Sequence, residues 1–253
     1  MTTPLNPQTL PDNDNLPGNH YAYCVRLDGQ LFMQTGRMIA YYPAPHGSGI
    51  RFEPLTSASV GGFVATRFSA PLYTGDWVIA NGAGHLILGD RGYDINSYDL
   101  TDGNLTLRAS NLLAFDSTLE LKQSIVPGFL TLLGTGKFLA SSSGPVIFAE
   151  PPIRVDPQAL VGWADCPSPS HHFDANWMTG FLGAAAGMLG VQSGEERQFD
   201  FTGAGTVLLQ SSENAVHDPH LLRQLEAQVG TLGTPGLTHL QRVIQGQLAQ
   251  QQR

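Results

Sequence analysis

Leu31–Tyr42 (LFMQTGRMIAYY) aligns without gaps on Leu105–Asp116 (LTLRASNLLAFD) and on Ile153–Ala164 (IRVDPQALVGWA). Each segment begins with apolar residues at its first and third positions and continues through a polar middle. Each then closes on two apolar residues, a small residue and an aromatic, namely Tyr41, Phe115 or Trp163. Period-two alternation followed by a short polar connection and a second apolar run predicts a β-hairpin. A second motif follows the first each time. Val78–Gly89, Leu130–Ser141 and Phe199–Gln210 all carry Gly-x-Gly between apolar runs, with the pairs Gly82 and Gly84, Gly134 and Gly136, and Gly203 and Gly205. Glycine spaced this way suits a structural turn or bulge that needs positive φ or close backbone approach.

The order is therefore hairpin then Gly-x-Gly, three times over, across Leu31 to Ser212. Self-similarity on this scale predicts a fold built from repeated units, here an all-β domain over 21–212 with repeats at about 31–89, 105–141 and 153–212, arranged as a β-sandwich or barrel. The first and third repeats carry insertions of about twenty residues relative to the second. The first insertion, 43–71, contains IRFEPL and GGFVATRFSAPLY, which read as additional strands; the third, 167–194, contains the apolar, glycine-rich stretch HHFDANWMTGFLGAAAGMLG. Residues 1–20, rich in Pro, Asn and Asp, read as a flexible N-terminal segment. Beyond Glu213 the periodicity changes. His220–Val229 and Leu237–Gln252 place Leu, Val and Ile at helical spacing, predicting two short helices in a tail over 213–253.

Composition agrees with many tight turns between short strands, because 29 glycines and 17 prolines accompany only 13% charged residues. The formal charge of −8, with no run of Lys and Arg, makes nucleic acid an unlikely partner through net repulsion of its backbone. The N-terminus lacks the basic start and apolar stretch of a secretory signal, and its acidity is wrong for a transit peptide. The longest apolar stretch, Met178–Val191, is shorter than the roughly 20 residues a transmembrane helix needs. A cytoplasmic location without a transmembrane segment is the expectation. Cys24 and Cys166 are too far apart in sequence for a metal-ligand spacing and read as buried small residues.

Chemistry-bearing patterns are sparse. His171, His172 and Asp174 form the densest group of metal-ligating types, but neighbouring histidines on a strand point to opposite faces, so no metal site is expected. Gly134-Thr135-Gly136-Lys137 lacks the earlier glycine and the Ser or Thr of a phosphate loop. Gly-x-Ser-x-Gly, His-Glu-x-x-His and the dinucleotide fingerprint do not occur, and neither a cofactor nor a catalytic residue is expected.

Leu112-Leu113-Ala114-Phe115 and Phe201-Thr202-Gly203-Ala204-Gly205-Thr206-Val207-Leu208-Leu209-Gln210 resemble the signatures of the altered-inheritance-of-mitochondria family over Tyr21 to Ser212. That resemblance implies the fold of the tryptophan RNA-binding attenuation protein (TRAP-like), with repeated β modules about a pseudo-threefold axis. It implies no biochemical activity, and fold alone does not carry RNA binding over.

Three functional readings follow. The leading one is a non-catalytic scaffold with a protein partner, its contacts made by the insertions and the tail. Another is a small-ligand module for a carbohydrate or metabolite, with Trp77, Trp177, His171 and His172 as candidate contact residues. RNA binding comes third and is opposed by the acidic charge. Edge strands also suit a homo-oligomer.

Overall fold

Alternating apolar residues set against an interior put most of the chain into strands, and the computed structural model is predominantly β. It describes residues 5–45, 49–55, 66–165, 168–173 and 197–212. The expected C-terminal helices, Cys166, Asp174, Trp177 and most of the third insertion lie outside the described residues.

In chain order the strands are β1 (Asp14–Leu16), β2 (Asn19–Gln34), β3 (Met38–Pro43), β4 (Ile50–Pro54), β5 (Phe68–Ser69), β6 (Trp77–Gly89), β7 (Asp94–Arg108) and β8 (Leu112–Asp116). They continue as β9 (Glu120–Gln123), β10 (Phe129–Ser142), β11 (Val146–Ala149), β12 (Ile153–Val155), β13 (Leu160–Ala164), β14 (Ser170–Phe173), β15 (Arg197–Phe201) and β16 (Thr206–Gln210). A 13-stranded, largely antiparallel sheet follows the path β11-β16-β13-β7-β10-β8-β2-β6-β3, and β12, β15 and β14 form a second sheet. IRFEP of the first insertion is β4, paired with β6. Residues before Tyr21 contribute β1, paired with β2, and bury Leu10 and Leu16 beside Cys24 and Ile87.

The hairpin expectation is corrected. The two strands of each first motif do not pair with one another but flank the strand carrying the next Gly-x-Gly. β2 and β3 both pair with β6, and β7 and β8 both pair with β10. β12 pairs with β15 and β13 with β16. A corner and a hairpin leave the same local pattern, and which edge accepts the returning strand depends on residues far away in sequence. The glycine pairs divide between the bulge and the turn that their spacing suits, with a register shift between Gly134 and Gly136. Gly82 and Gly84 lie inside β6, and Gly134 and Gly136 inside β10, whereas Gly203 and Gly205 separate β15 from β16. Close approach is the reason for Gly84, at φ 151°: a Cβ there would come within 2.3 Å of the Tyr42 carbonyl oxygen.

The registers are regular. Position 1 of the first motif faces position 3 of the second: Leu31 opposite Ala80, Leu105 opposite Leu132, Ile153 opposite Phe201. Position 11 faces position 9: Tyr41 opposite Leu86, Phe115 opposite Phe138, Trp163 opposite Val207. In each case the ninth residue of the first motif, Ile39, Leu113 or Val161, is left out of the ladder as a bulge.

Two further ladders join these groups of strands. β2 pairs with β8 through Leu31–Asp116, Phe32–Phe115 and Met33–Ala114. β7 pairs with β13 through Leu105–Ala164, Thr106–Trp163 and Leu107–Gly162, the same positions again. Phe32 stacks on Phe115 with ring centroids 4.8 Å apart, and Trp77 tilts against Phe115 at 5.2 Å. Phe129, Trp163, Phe199 and Phe201 form a second aromatic group. Each such fully buried side chain stabilises the fold by about 1.5–3 kcal/mol before entropy is counted.

Candidate functional site

β3 and β11 are the two ends of the large sheet's path, and both expose apolar side chains. On β3, Met38, Ile39 and Tyr41 are 39%, 61% and 42% exposed; on β11, Ile147 and Phe148 are 51% and 62% exposed. Edge strands carry unpaired backbone groups, and proteins ordinarily guard them with charge, proline or cover. Here β3 ends in Pro43, but its exposed face is aliphatic and aromatic.

The positions of Ile39 and Tyr41 sharpen the contrast. Their counterparts Leu113 and Phe115 are fully buried, and Val161 and Trp163 are 2% and 3% exposed. β8 is covered by β2 and β13 by β7, whereas among the described residues β3 pairs with β6 alone. β12 shows the reciprocal pattern, because Arg154 is exposed where its counterparts Phe32 and Thr106 are buried. Arg154 forms an ion pair with Asp200 at 2.9 Å.

A separate cleft of about 290 Å³ opens between β7, β9, β10 and β13. Its lining includes Asn104, Lys122, Gln123, Thr131, Trp163 and Asp165. The hydroxyls of Thr106 and Thr131 hydrogen-bond each other at 3.0 Å, while the Gln123 Oε1 is buried without a hydrogen-bond partner.

Several charged groups elsewhere are held in ion pairs and hydrogen bonds. Arg37 reaches Asp90, which also accepts from the Ser141 hydroxyl at 2.5 Å, and burial lowers the Arg37 pKa. Arg108 is buried, donates to the Leu160 carbonyl and lies over the Phe129 ring. His85 and Arg26 hold the Asp12 carboxylate, His85 being the larger cause of its lowered pKa, and together they pin the N-terminal segment to β2 and β6.

Of the sequence-derived candidates, Trp77 is 1% exposed in the aromatic core, closed to any ligand, and its indole N–H is buried without a hydrogen-bond partner. His171 and His172 occupy successive positions on β14, opposite Phe199 and Gln198. Trp177 lies outside the described residues. Among the described residues no group of three or more His, Cys, Asp or Glu is placed to hold a metal ion, and no helix is long and apolar enough to cross a membrane. Sequence reasoning missed the exposed edges because Tyr41 shares the apolar pattern of Phe115 and Trp163; no local signal separates a covered strand from an uncovered one.

Comparison with known proteins agrees with the architecture. Seven solved chains are similar to this one. The crystal structure of a Streptococcus pyogenes protein superposes with a TM-score of 0.53 at 18% identity, covering 83% of this chain and 92% of that one, a likeness of fold. No curated protein matches the sequence. The family described as Mitochondrial biogenesis AIM24 matches residues 23–212, the span that holds all the paired strands from β2 to β16 apart from the first residues of β2. The chain belongs to the Mitochondrial biogenesis AIM24 family.

Proposed function

We propose that this protein is a non-catalytic interaction scaffold, in which three TRAP-like copies of one β module, joined in series and open at both ends, present sheet edges to protein partners. The observation that carries the reading is the exposed apolar surface at both ends of the large sheet, Met38, Ile39 and Tyr41 on β3 and Ile147 and Phe148 on β11. Apolar side chains beside unpaired backbone suit strand addition, in which main-chain hydrogen bonds supply affinity and side-chain pockets supply specificity. The shared registers and the bulge at one position in each module support the triplication.

The test is affinity purification of the full chain from its native cell, beside Phe148→Lys. A stoichiometric partner held by the parent protein and lost from a variant that melts at the same temperature supports the reading. Equal recovery by Phe148→Lys and by Ile39→Lys removes it.

A second reading, a binding module for a small polar metabolite such as a carbohydrate, draws on the cleft and on the unpartnered Gln123 Oε1. A ligand-dependent rise in melting temperature that disappears in Gln123→Leu supports it.

A further inference from the structure

The ladders between groups of strands run in one direction. Positions 1–3 of the first group pair with positions 12–10 of the second, through β2 and β8, and positions 1–3 of the second pair with 12–10 of the third, through β7 and β13. The third group offers the same positions on β12, Ile153 to Val155, and the first group the same positions on β3, Ala40 to Tyr42. Among the described residues neither strand uses that edge: β12 pairs with β15 alone, and β3 with β6 alone. One chain thus ends in two unlike edges whose counterparts are known to fit each other.

Burial points the same way. Where a ladder is made, the position 11 aromatic and its partner at position 2 are covered, as in Phe115 with Phe32 and Trp163 with Thr106. Tyr41 is 42% exposed, and so is the side chain of Arg154, at 59%. Opposed in an antiparallel ladder, these two bring a guanidinium over an aromatic face, a favourable contact.

We infer that β12 of one molecule pairs antiparallel with β3 of a second copy, Ile153 opposite Tyr42, Arg154 opposite Tyr41 and Val155 opposite Ala40, giving a head-to-tail assembly. The inference rests on the edge-scaffold reading above and assigns one of its edges to self-association, leaving β11 for other partners. Such a contact joins unlike surfaces, so it builds a ring where the rotation closes and a filament where it does not. It is weaker than the two ladders within the chain, because position 4 supplies a side-chain donor there, Gln34 and then Arg108, whereas Asp156 offers only acceptor oxygens. Association is therefore reversible and depends on concentration.

The test uses full-length chains carrying Cys166→Ser, which leaves the buried Cys24 as the remaining native thiol. Directly opposed residues of an antiparallel pair have Cα atoms about 4.5–5.5 Å apart, within disulfide reach. Tyr41→Cys and Arg154→Cys chains, mixed under mild oxidation, should give a cross-linked dimer containing one of each, in excess over either self-pair. A chain with both substitutions should give a ladder of cross-linked species. In light scattering without any added cysteine, Ile39→Lys should reduce the assembly to the mass of one chain, and Phe148→Lys should leave it intact. Cross-linking of the doubly substituted chain only within itself overturns the inference, as do equal self-pairs or a single-chain mass at every concentration. Loss of a protein partner from Phe148→Lys is a separate readout, so the scaffold reading stands or falls independently.

Discussion

Gln34 donates from Nε2 to the Ala109 carbonyl at 2.6 Å, tying the corner after β2 to the corner after β7. The same side chain accepts through Oε1 from Arg37 Nε and Nη2 at 3.1 and 3.0 Å, and Arg37 goes on to Asp90, which also accepts from the Ser141 hydroxyl. Arg108, at the corresponding position of the next module, reaches the Pro157 carbonyl in the corner that follows. One amide therefore connects a backbone carbonyl of one strand group to a buried ion pair of another.

Gln34→Leu keeps the volume and removes both roles. It strands the Ala109 carbonyl and withdraws an acceptor from Arg37, so a loss of about 1–3 kcal/mol in urea unfolding is expected. Gln34→Glu restores the acceptor alone and should recover only part of that loss.

Asp90 is 4% exposed and holds a partly buried guanidinium. Asp90→Ala leaves Arg37 buried without its counter-charge and should cost roughly 3–5 kcal/mol, among the largest effects of any single polar substitution. Chemical denaturation of Asp90→Ala, Arg37→Met and the double variant measures the coupling; a double variant more stable than Asp90→Ala is the expected outcome.

Gly84 and Gly92 separate steric from conformational need. Both have positive φ, at 151° and 82°, but a Cβ at Gly92 meets nothing within 4 Å. Gly92→Ala should cost about 1 kcal/mol of left-handed strain, and Gly84→Ala distinctly more, because the Tyr42 carbonyl must move. Thermal melts of the two variants rank them.

Burial pushes the Cys24 thiol up to about 11. The folded pKa is raised above the ordinary value of 9.0, so the thiol's contribution is fully present below pH 9 and is lost as pH rises toward 11. In a Cys166→Ser chain, an alkylating reagent at pH 8 should label nothing until denaturant is added, and Cys24→Ala should flatten the loss of stability between those pH values.

The strand content and the family were legible from residues such as Leu112 to Phe115 and Phe201 to Gln210, because period-two burial and glycine spacing are local properties. The pairing partners were not. LFMQ and MIAYY read as two arms of one hairpin, yet β6 stands between them, and it begins only at Trp77, with residues 43–76 intervening after Tyr42. Trp77 is a candidate contact residue in the sequence; the convergence of Phe68 and Phe115 on it places it in the core.

By itself the sequence determined that the chain is built mainly of strands and which family it belongs to. The tertiary structure alone decided which edges are covered. Burial of Tyr41, Phe115 or Trp163 depends on whether another strand arrives from elsewhere in the chain, and hydrogen-bonding edges look alike in sequence until their neighbours are in place.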